Sequence, residues 1–270
     1  MCQPLAVIVN ADDFGLDSST TRGIVDAFER GFVSSTTLMA NQPGFDEAVE
    51  LAHERGLEHH VGAHLVLTSG NPLTEPIRRL GRFCDAEGRF RGWNADGRTW
   101  RLSAHEREAT VRELSAQVER IRSSRLPVTH LDSHHHVHND WAIGSCVVAV
   151  ARSAKVARVR IARNCGPDIG AASSVYKRLF NFRLRRNGLA ATRWFGDAGQ
   201  WRHLRERGTS AASLDDFELM THPAVDERGR VVEVLSDGRT LEEVLAGIAG
   251  VGDAVSYSGA RYGSGRRSGP

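Results

Sequence analysis

The sequence predicts a single α/β domain of the parallel β/α barrel type, and three observations favour this fold. Continuous apolar runs alternate with amphipathic helical patterns between residues 5 and 67, which is the rhythm of parallel strands joined by crossover helices. The chain has 270 residues, 40% of them hydrophobic, and one barrel of this type needs ~250 residues. Polar side chains capable of chemistry stand at the ends of several apolar runs, as on the functional face of such a barrel.

The first units follow a strand, helix, strand, helix, strand pattern. Residues 5–10, LAVIVN, form the continuous apolar run of a strand that is buried on both faces. Ser18 or Ser19 can cap the helix that follows, which extends through Arg30 and stops at Gly31. The next elements are a strand over 34–40, a helix over 45–55 and a strand over 60–67.

The regular pattern breaks between residues 68 and 102. This segment contains several arginines together with Trp93 and Trp100. Its glycines are Gly70, Gly81, Gly88, Gly92 and Gly97. Connections of this length inside a compact domain are usually either functional or disordered. We expect residues 68–102 to be an inserted loop or lid that forms a wall of the substrate site.

The second half of the chain resumes the alternation. Residues 104–123 predict a long amphipathic helix, because apolar residues recur at helical spacing from Val111 to Ile121. The further predicted elements are strands over 128–134, 156–163, 217–224 and 254–258, and helices over 141–154, 175–186 and 240–248. This gives six or seven β/α units in one domain, residues 1–258, followed by a flexible tail over 259–270.

The amino-acid composition limits which partners and which cellular compartment we expect for this protein. The net charge of +2 creates no strong field, so we expect no nucleic-acid partner. We interpret the basic residues, which are spread along the chain, as solvated surface. The one cluster that combines basic and aromatic side chains, as a site for nucleic acid or an acidic partner would, is residues 178–186, RLFNFRLRR. No apolar run approaches the ~18 residues of a membrane span. The cysteines at 2, 84, 146 and 165 form no CxxC pair, which indicates a reducing compartment, and the predicted location is the cytoplasm.

A histidine-rich stretch at residues 127–141, PVTHLDSHHHVHNDW, is the strongest functional signal. It holds five of the twelve histidines of the chain. If the run over 128–134 is extended, its side chains alternate between faces, so that His130, Asp132 and His134 point the same way. Imidazoles and carboxylates are ligands of borderline divalent cations. A solvated loop or buried structural histidines are the alternative, and the clustering favours a metal site.

Other polar residues end the remaining predicted strands. Asp12 and Asp13 follow the first strand, His64 lies in the third, and His222 ends a later one. Each of them alone has an ordinary explanation, such as a turn, a helix cap or a buried histidine with a hydrogen bond. Because the carboxyl ends of barrel strands open on one face, we expect these side chains to converge with those of the histidine-rich stretch.

The residue types in this set point to hydrolysis. One aspartate with two histidines holds a cation and leaves coordination positions open, as in catalytic rather than structural sites. A bound cation acidifies water and polarises a carbonyl, while a carboxylate base and an imidazole acid can complete the reaction. The sequence has no GxSxG, P-loop, CxxC or GxGxxG after the first strand, which argues against a serine hydrolase, an NTPase, a zinc finger and a dinucleotide enzyme.

Four segments carry a resemblance to a known family. They are VNADDFGL at 9–16, VGAHLVLTSGNPL at 61–73, THLDSHHHVH at 129–138 and THPA at 221–224. In this order and at these distances they resemble the YdjC-like carbohydrate deacetylases, which include chitooligosaccharide deacetylases and members associated with hopanoid biosynthesis. The similarity covers nearly the whole chain and is weakest over 166–212 and in the last dozen residues.

The resemblance implies an incomplete β/α barrel that removes the N-acetyl group from an amino sugar or glycoconjugate. It implies one divalent ion, usually Mg²⁺, with Zn²⁺ chemically reasonable, held by Asp13, His64 and His134. Asp12 would be the general base on the metal-bound water, although the adjacent aspartates could exchange roles. His222 would protonate the leaving amine. A homodimer is compatible with the resemblance.

Four further residues receive supporting roles from the same resemblance. Asp132, His136 and His138 would orient the metal ligands through hydrogen bonds. Arg160 would steady either the carboxylates or the oxyanion of the tetrahedral intermediate, and the alternative is that it is an ordinary surface arginine.

Two alternatives to a deacetylase remain open from the sequence. The first is a metal-dependent phosphoesterase or another amidohydrolase on the same barrel. The second is a non-catalytic metal-binding protein that uses the histidine-rich stretch and needs neither Asp12 nor His222.

Overall fold

A computed structural model of the chain describes residues 7–92, 98–190, 192–210, 214, 216–248, 251 and 254–257. Within these residues, six strands form one parallel sheet: β1 (Val7–Phe14), β2 (Ser35–Leu38), β3 (Val61–Leu65), β4 (Leu131–Ser133), β5 (Trp194–Gly196) and β6 (Phe217–Thr221). Their order across the sheet is β4-β3-β2-β1-β6-β5. Two more short strands form an antiparallel hairpin after β6: β7 (Pro223–Val225) and β8 (Val231–Glu233).

Helices connect the strands of the sheet. The α-helices of the described residues are α1 (Ser18–Glu29), α2 (Phe45–Glu54), α3 (Glu75–Arg78), α4 (Ala104–Ser123), α5 (Trp141–Ser153), α6 (Ala171–Arg186), α7 (Ala198–Glu206) and α8 (Leu241–Leu245). Short 3₁₀ segments precede β3 (Glu58–His60) and follow β4 (His134–Asn139). None of the helices described here combines the length and the apolar composition needed to cross a lipid bilayer.

The sheet curls into a half-barrel, which confirms the predicted α/β fold and its incomplete barrel. Isolated parallel bridges continue the curl from Leu131 in β4 to Val159, and from Val159 to Ala190. No regular strand forms over 156–163, where these isolated bridges are the only β pairing. The prediction of a strand in this segment was therefore wrong. The chain at Val159 is extended between two neighbours but keeps only single pairings with them.

The central strand β1 organises the core. It pairs with β2 on one side and with β6 on the other, and all eight of its residues are buried. Both faces of a parallel sheet are covered in folds of this type, which explains why the strand begins as a continuous apolar run. Because the sheet is parallel, Asp12 and Asp13 at the end of β1 emerge on the same edge as the ends of β3, β4 and β6.

Three local predictions were wrong. The cap of α1 is Asp17 rather than Ser18 or Ser19, and its carboxylate accepts a hydrogen bond of 2.8 Å from the backbone N–H of Thr20. The run over 217–224 is broken, because β6 ends at Thr221 and a separate hairpin strand begins at Pro223. Residues 254–257 form no strand, although the N–H of Val255 donates a hydrogen bond to the carbonyl of Val7.

The segment 68–102 keeps little regular structure where it is described. It contains α3 and an antiparallel bridge between Cys84 and Phe90, and its first residue, Thr68, contacts His135 at 3.0 Å. Trp93 and the tail 259–270 lie outside the described residues. The inserted lid and the flexible tail therefore stay predictions.

Gly23 on α1 allows the β7 hairpin strand to approach the helix closely. A Cβ at this position would lie 2.5 Å from the Cα of Ala224 and 2.7 Å from its carbonyl carbon. Gly23→Ala is therefore expected to lower the free energy of unfolding by about 1–3 kcal/mol, because the backbone of β7 must shift. Urea denaturation measures the change.

Gly81→Ala provides the matched control, since no described atom lies within 4 Å of a Cβ at that position. We expect it to leave the unfolding free energy nearly unchanged. Equal effects of the two substitutions would contradict the close helix-to-hairpin packing.

Candidate active site

The ends of β1, β3, β4 and β6 meet at one cavity with a volume of about 510 Å³, which we call the site cavity. It is lined by five of the residues singled out from the sequence as candidate catalytic or metal-binding residues: Asp12, Asp13, His64, His134 and His222. His136 lines it as well. The predicted convergence of distant segments on one face is therefore what the fold produces.

Asp13, His64 and His134 form a compact cluster at the wall of this cavity. Asp13 Oδ1 lies 3.0 Å from His64 Nε2 and 2.8 Å from His134 Nδ1, and one ligand atom from each residue lies within 4.8 Å of the others. Asp13 has a left-handed backbone conformation with φ of 69°, which aspartate tolerates better than most residues. One carboxylate and two imidazoles thus converge on a common point that is open to the cavity.

The orientation of His64 is fixed from behind by Asp132. Its Nδ1 lies 2.8 Å from Asp132 Oδ1, while the hydroxyl of Thr37 donates a 3.0 Å hydrogen bond to Asp132 Oδ2. Nε2 is therefore the nitrogen that faces Asp13. Burial lowers the pKa of His64, but the carboxylates of Asp132 and Asp13 outweigh it and raise that pKa to about 10. The surroundings of this imidazole thus favour positive charge, as expected for the binding site of a cation.

Asp13 is itself held as a carboxylate. Burial raises its pKa, and the hydrogen bonds with His134 and His64 reverse the effect and lower the pKa well below its usual value. An anionic oxygen with two imidazole nitrogens is a donor set that fits a divalent cation such as Zn²⁺ and leaves positions for other ligands.

Asp12, next to Asp13 in sequence, sits in a buried ion pair with Arg160. Both of its oxygens are 2.6 Å from guanidinium nitrogens of Arg160, and Asn10 Nδ2 donates a 2.8 Å hydrogen bond to its Oδ1. Burial raises the pKa of Asp12, whereas the guanidinium charge and hydrogen bonds of Arg160 lower it well below the usual range. Asp12 lines the site cavity although it is only 2% exposed.

Arg160 joins three carboxylates in the interior. Besides Asp12, its guanidinium is 2.9 Å from Asp132 Oδ2 and contacts Glu218. The side chain is fully buried and is absent from the lining of the site cavity. Of its two predicted contacts, the structure has the one with the carboxylates. Asp12, His64 and Asp132 form a second group of possible metal ligands. Arg160 Nη1 lies 2.6 Å from Asp12 Oδ2 and 2.9 Å from Asp132 Oδ2, so its positive charge already stands where a metal ion would have to bind.

His222 is paired with Glu233, a residue that the sequence did not indicate. Glu233 Oε2 accepts a 2.9 Å hydrogen bond from the backbone N–H of His222, and its Oε1 lies 3.4 Å from the ring Nδ1. Burial lowers the pKa of His222, and Glu233 together with the Asp12 charge raises it above the usual value. A prediction of the β7–β8 hairpin would have indicated this pair, because the hairpin places Glu233 opposite Pro223, the residue that follows His222.

The other histidines of the stretch have different surroundings. His130 is buried below the cavity, with Nε2 3.2 Å from Asn10 Oδ1 and its ring stacked on Tyr257. Although it follows the strand alternation, it is not part of the cavity wall with His134. His138 Nδ1 is 2.6 Å from the hydroxyl of Ser133, so it supports the turn after β4 rather than contacting the cluster. His136 packs its ring edge against Phe195.

A second cavity, of about 320 Å³, adjoins the first through His135, His136 and Met220. Three cationic side chains from distant segments line it: Arg98, Arg163 and Lys177. No sequence pattern indicated that these residues meet near the site. We call this the basic cavity.

Comparison with known proteins decides the family. The family model described as YdjC-like protein matches residues 6–246. The chain belongs to the YdjC-like family. This confirms the resemblance inferred from the four motifs, since the match includes all of them.

Named relatives of this YdjC-like chain are carbohydrate deacetylases. One from Brevibacillus brevis is 44% identical over 246 residues, covering 88% of this chain and 89% of its own length. One from Listeria monocytogenes is 33% identical over 241 residues with the same coverage of both chains, and one from Vibrio campbellii is 32% identical over 220 residues, covering 82% of this chain and 78% of its own.

The fold of the YdjC-like chain also has a solved counterpart. A crystal structure of an Enterococcus faecalis protein, described as a candidate cellobiose-phosphate cleavage protein, superposes with a TM-score of 0.63. It is 23% identical and covers 96% of this chain and 98% of its own. This likeness supports the half-barrel architecture.

Proposed function

We propose that this protein is a metal-dependent hydrolase that removes the N-acetyl group from an N-acetylated amino sugar or glycoconjugate. The observation that carries the proposal is the gathering of Asp13, His64 and His134 at the wall of a cavity that Asp12 and His222 also line. The carbohydrate deacetylases among its relatives support the reaction class.

Asp13, His64 and His134 would hold one divalent cation. Bound there, it would acidify water and polarise the carbonyl of the acetyl group. The family resemblance implies Mg²⁺, whereas two imidazoles with one carboxylate are a donor set more typical of Zn²⁺, because Mg²⁺ prefers oxygen ligands. Asp132 supports this site by fixing the ring orientation of His64.

Asp12 is the proton acceptor of the proposed reaction. Arg160 keeps its carboxylate ionised at neutral pH and holds both oxygens in place. The same ion pair makes Asp12 a weak base, so it is suited to a nucleophile that is already acidic. A rigid position compensates for low basicity, because the donor and acceptor need no reorganisation before proton transfer.

His222 is the proton donor to the nitrogen of the departing amine. Its pairing with Glu233 raises its pKa and therefore favours the protonated ring at neutral pH. The backbone hydrogen bond from His222 to the same carboxylate aligns the two residues. An amine leaves readily only when it is protonated, so an imidazolium at this position supplies what the step requires.

Glu233→Gln is expected to move the alkaline limb of the pH profile of kcat/KM to lower pH. Glu233 raises the pKa of His222, so its neutralisation lowers that pKa, and the donor form is then lost at a lower pH. Acetate release from an N-acetylated chitooligosaccharide over a series of pH values measures the shift. Glu242→Gln, an exposed glutamate on α8, is the control and should leave the profile in place. An unmoved alkaline limb in Glu233→Gln would contradict His222 as the acid.

The phosphoesterase alternative has less support. Enzymes that act on phosphate groups use cationic side chains beside the reacting centre. Among the described residues that line the site cavity there is no lysine or arginine, and the three cationic side chains nearby belong to the basic cavity.

An assay of acetate release beside phosphate-ester cleavage tests the proposed function. The wild-type protein, loaded in turn with Zn²⁺ and Mg²⁺, should release acetate from N-acetylglucosamine oligomers. Asp12→Asn should keep its metal and lose about 10²- to 10⁴-fold in kcat, the range for removal of a general base. Full activity in Asp12→Asn, or phosphate release without acetate release, would refute the proposal. Metal binding with no turnover of either substrate class would support the non-catalytic alternative.

A further inference from the structure

The outward face of α6 carries apolar side chains that contact water. Val175, Leu179 and Phe182 are 47%, 55% and 56% exposed. They recur at positions i, i+4 and i+7, so they form one stripe along the helix. The opposite face of α6 is anchored, since Phe180 and Leu184 are buried in the core. The stripe is therefore a fixed surface feature.

The same face is strongly basic. The sequence of α6, AASSVYKRLFNFRLRR, has five cationic residues and no carboxylate. Arg178, Arg185 and Arg186 are exposed around the apolar stripe, and the guanidinium of Arg186 lies 5.8 Å from the centre of the Phe182 ring. This is the stretch that the sequence marked as combining basic and aromatic side chains, and neither the site nor the proposed reaction uses these exposed residues.

Two exposed tryptophans extend the stripe. Trp100 and Trp141 pack against Tyr176 of α6, with ring centroids 5.4 Å and 6.3 Å apart. Together with the stripe and the three arginines they form the α6 patch. Five of the seven large hydrophobic side chains that are exposed in the described residues belong to it. The other two, Val234 and Leu235, line the site cavity. A cluster of this kind on an otherwise polar surface marks an interaction site.

The charge of the patch restricts its occupant. A second copy that docked by the same face would bring arginines against arginines, and the helix offers no carboxylate to pair with them. A nucleic acid would satisfy the arginines but would leave the apolar stripe between them against phosphates and sugars. A surface that is anionic outside and apolar just beneath matches both the arginines and the apolar stripe.

We propose that the α6 patch docks on the surface of an anionic phospholipid bilayer. The arginines would contact lipid phosphates, while Leu179, Phe182 and the tryptophans would enter the boundary between headgroups and acyl chains, which is where such residues are favoured. This is attachment to one surface of the membrane, and it does not depend on the proposed reaction.

Co-sedimentation with vesicles tests the proposal on the full chain. The wild type should bind vesicles of equal parts phosphatidylglycerol and phosphatidylcholine, and much more weakly vesicles of phosphatidylcholine alone. Leu179→Ser with Phe182→Ser should weaken binding to the anionic vesicles by about tenfold or more, because apolar area is lost from the contact. Arg185→Gln with Arg186→Gln should weaken it by about fivefold per arginine and reduce its sensitivity to salt.

Arg79→Gln with Arg89→Gln is the control for net charge. Both arginines are exposed and lie outside the α6 patch, so this pair should bind like the wild type. Binding that is insensitive to the patch variants, or equal for neutral and anionic vesicles, would overturn the proposal. Absence of binding to the anionic vesicles would also overturn it. A dimer, or binding to duplex DNA, that the Leu179→Ser and Phe182→Ser pair abolishes would then identify the occupant as a second copy or a nucleic acid.

Discussion

Asp13→Asn is expected to lower kcat/KM for acetate release by roughly three orders of magnitude, since a bound cation contributes several kcal/mol of transition-state stabilisation. The reason is geometric as well as electrostatic. A single oxygen of Asp13 faces both His64 Nε2 and His134 Nδ1, so a neutral amide removes the one negative charge that these two imidazoles share. Metal content, measured on the dialysed variant, should fall together with activity.

The matched control for this substitution lies in the same cavity. Asp17 also lines the site cavity, and its carboxylate caps α1 through the N–H of Thr20. Asn caps a helix about as well as Asp, so Asp17→Asn should fold normally and keep activity within a few-fold. Asparagine also tolerates the left-handed backbone at position 13, so Asp13→Asn should stay folded. An Asp13→Asn protein with normal metal content and rate would contradict the ligand assignment.

Arg160→Met is expected to lower the free energy of unfolding at neutral pH by about 3–5 kcal/mol, because it removes one partner of a buried ion-pair network. Asp12, Asp132 and Glu218 would lose the cation they share. The ring centre of Phe195 lies 4.7 Å from the guanidinium carbon, and a methionine side chain can still pack on it. The loss of unfolding free energy therefore reflects the missing charge more than the missing side-chain volume. Urea denaturation measures the change.

The loss of unfolding free energy in Arg160→Met should become smaller as the pH falls. In the wild type, Arg160 holds the pKa of Asp12 well below its unfolded value, so this contribution is present above the unfolded pKa and is lost as the pH falls. The variant lacks that contribution, and its buried carboxylates bind protons more readily. Burial already raises the pKa of Glu218 to about 7 despite the nearby guanidinium. The difference between variant and wild type should therefore shrink on acidification.

Arg158→Met is the control for this prediction. Arg158 is exposed and stands two positions earlier in the same extended segment. Its replacement should change the unfolding free energy by no more than about 0.5 kcal/mol, as for most surface substitutions. A comparable loss in both variants would mean that Arg160 acts through the backbone segment rather than through its three carboxylates.

The fold was predictable where a local pattern had a single physical cause. The apolar run that begins β1 is continuous because both faces of that strand are covered. The helix cap was ambiguous, since Asp17, Ser18 and Ser19 are all good capping residues. The choice depends on how the chain leaves β1, where Gly15 adopts a left-handed φ of 82°. A local pattern does not contain that information.

Site residues were predictable when they stood at the ends of strands. Asp13, His64 and His134 meet because parallel strands bring their carboxyl ends to one edge, which needs no knowledge of the remaining packing. Glu218 and Glu233 were missed because an acid within an apolar strand looks like an exposed residue on the polar face. Their partners, Arg160 and His222, lie 58 and 11 residues away and are identified only by the three-dimensional contacts.

Anomalous X-ray diffraction from crystals of the Zn²⁺-loaded protein would show whether Asp13, His64 and His134 bind one cation together. We expect one strong peak on the wall of the site cavity, about 2.0–2.2 Å from an oxygen of Asp13, from His64 Nε2 and from His134 Nδ1. A peak held by other histidines, or no peak while Asp13 keeps its hydrogen bonds to both imidazoles, would contradict it.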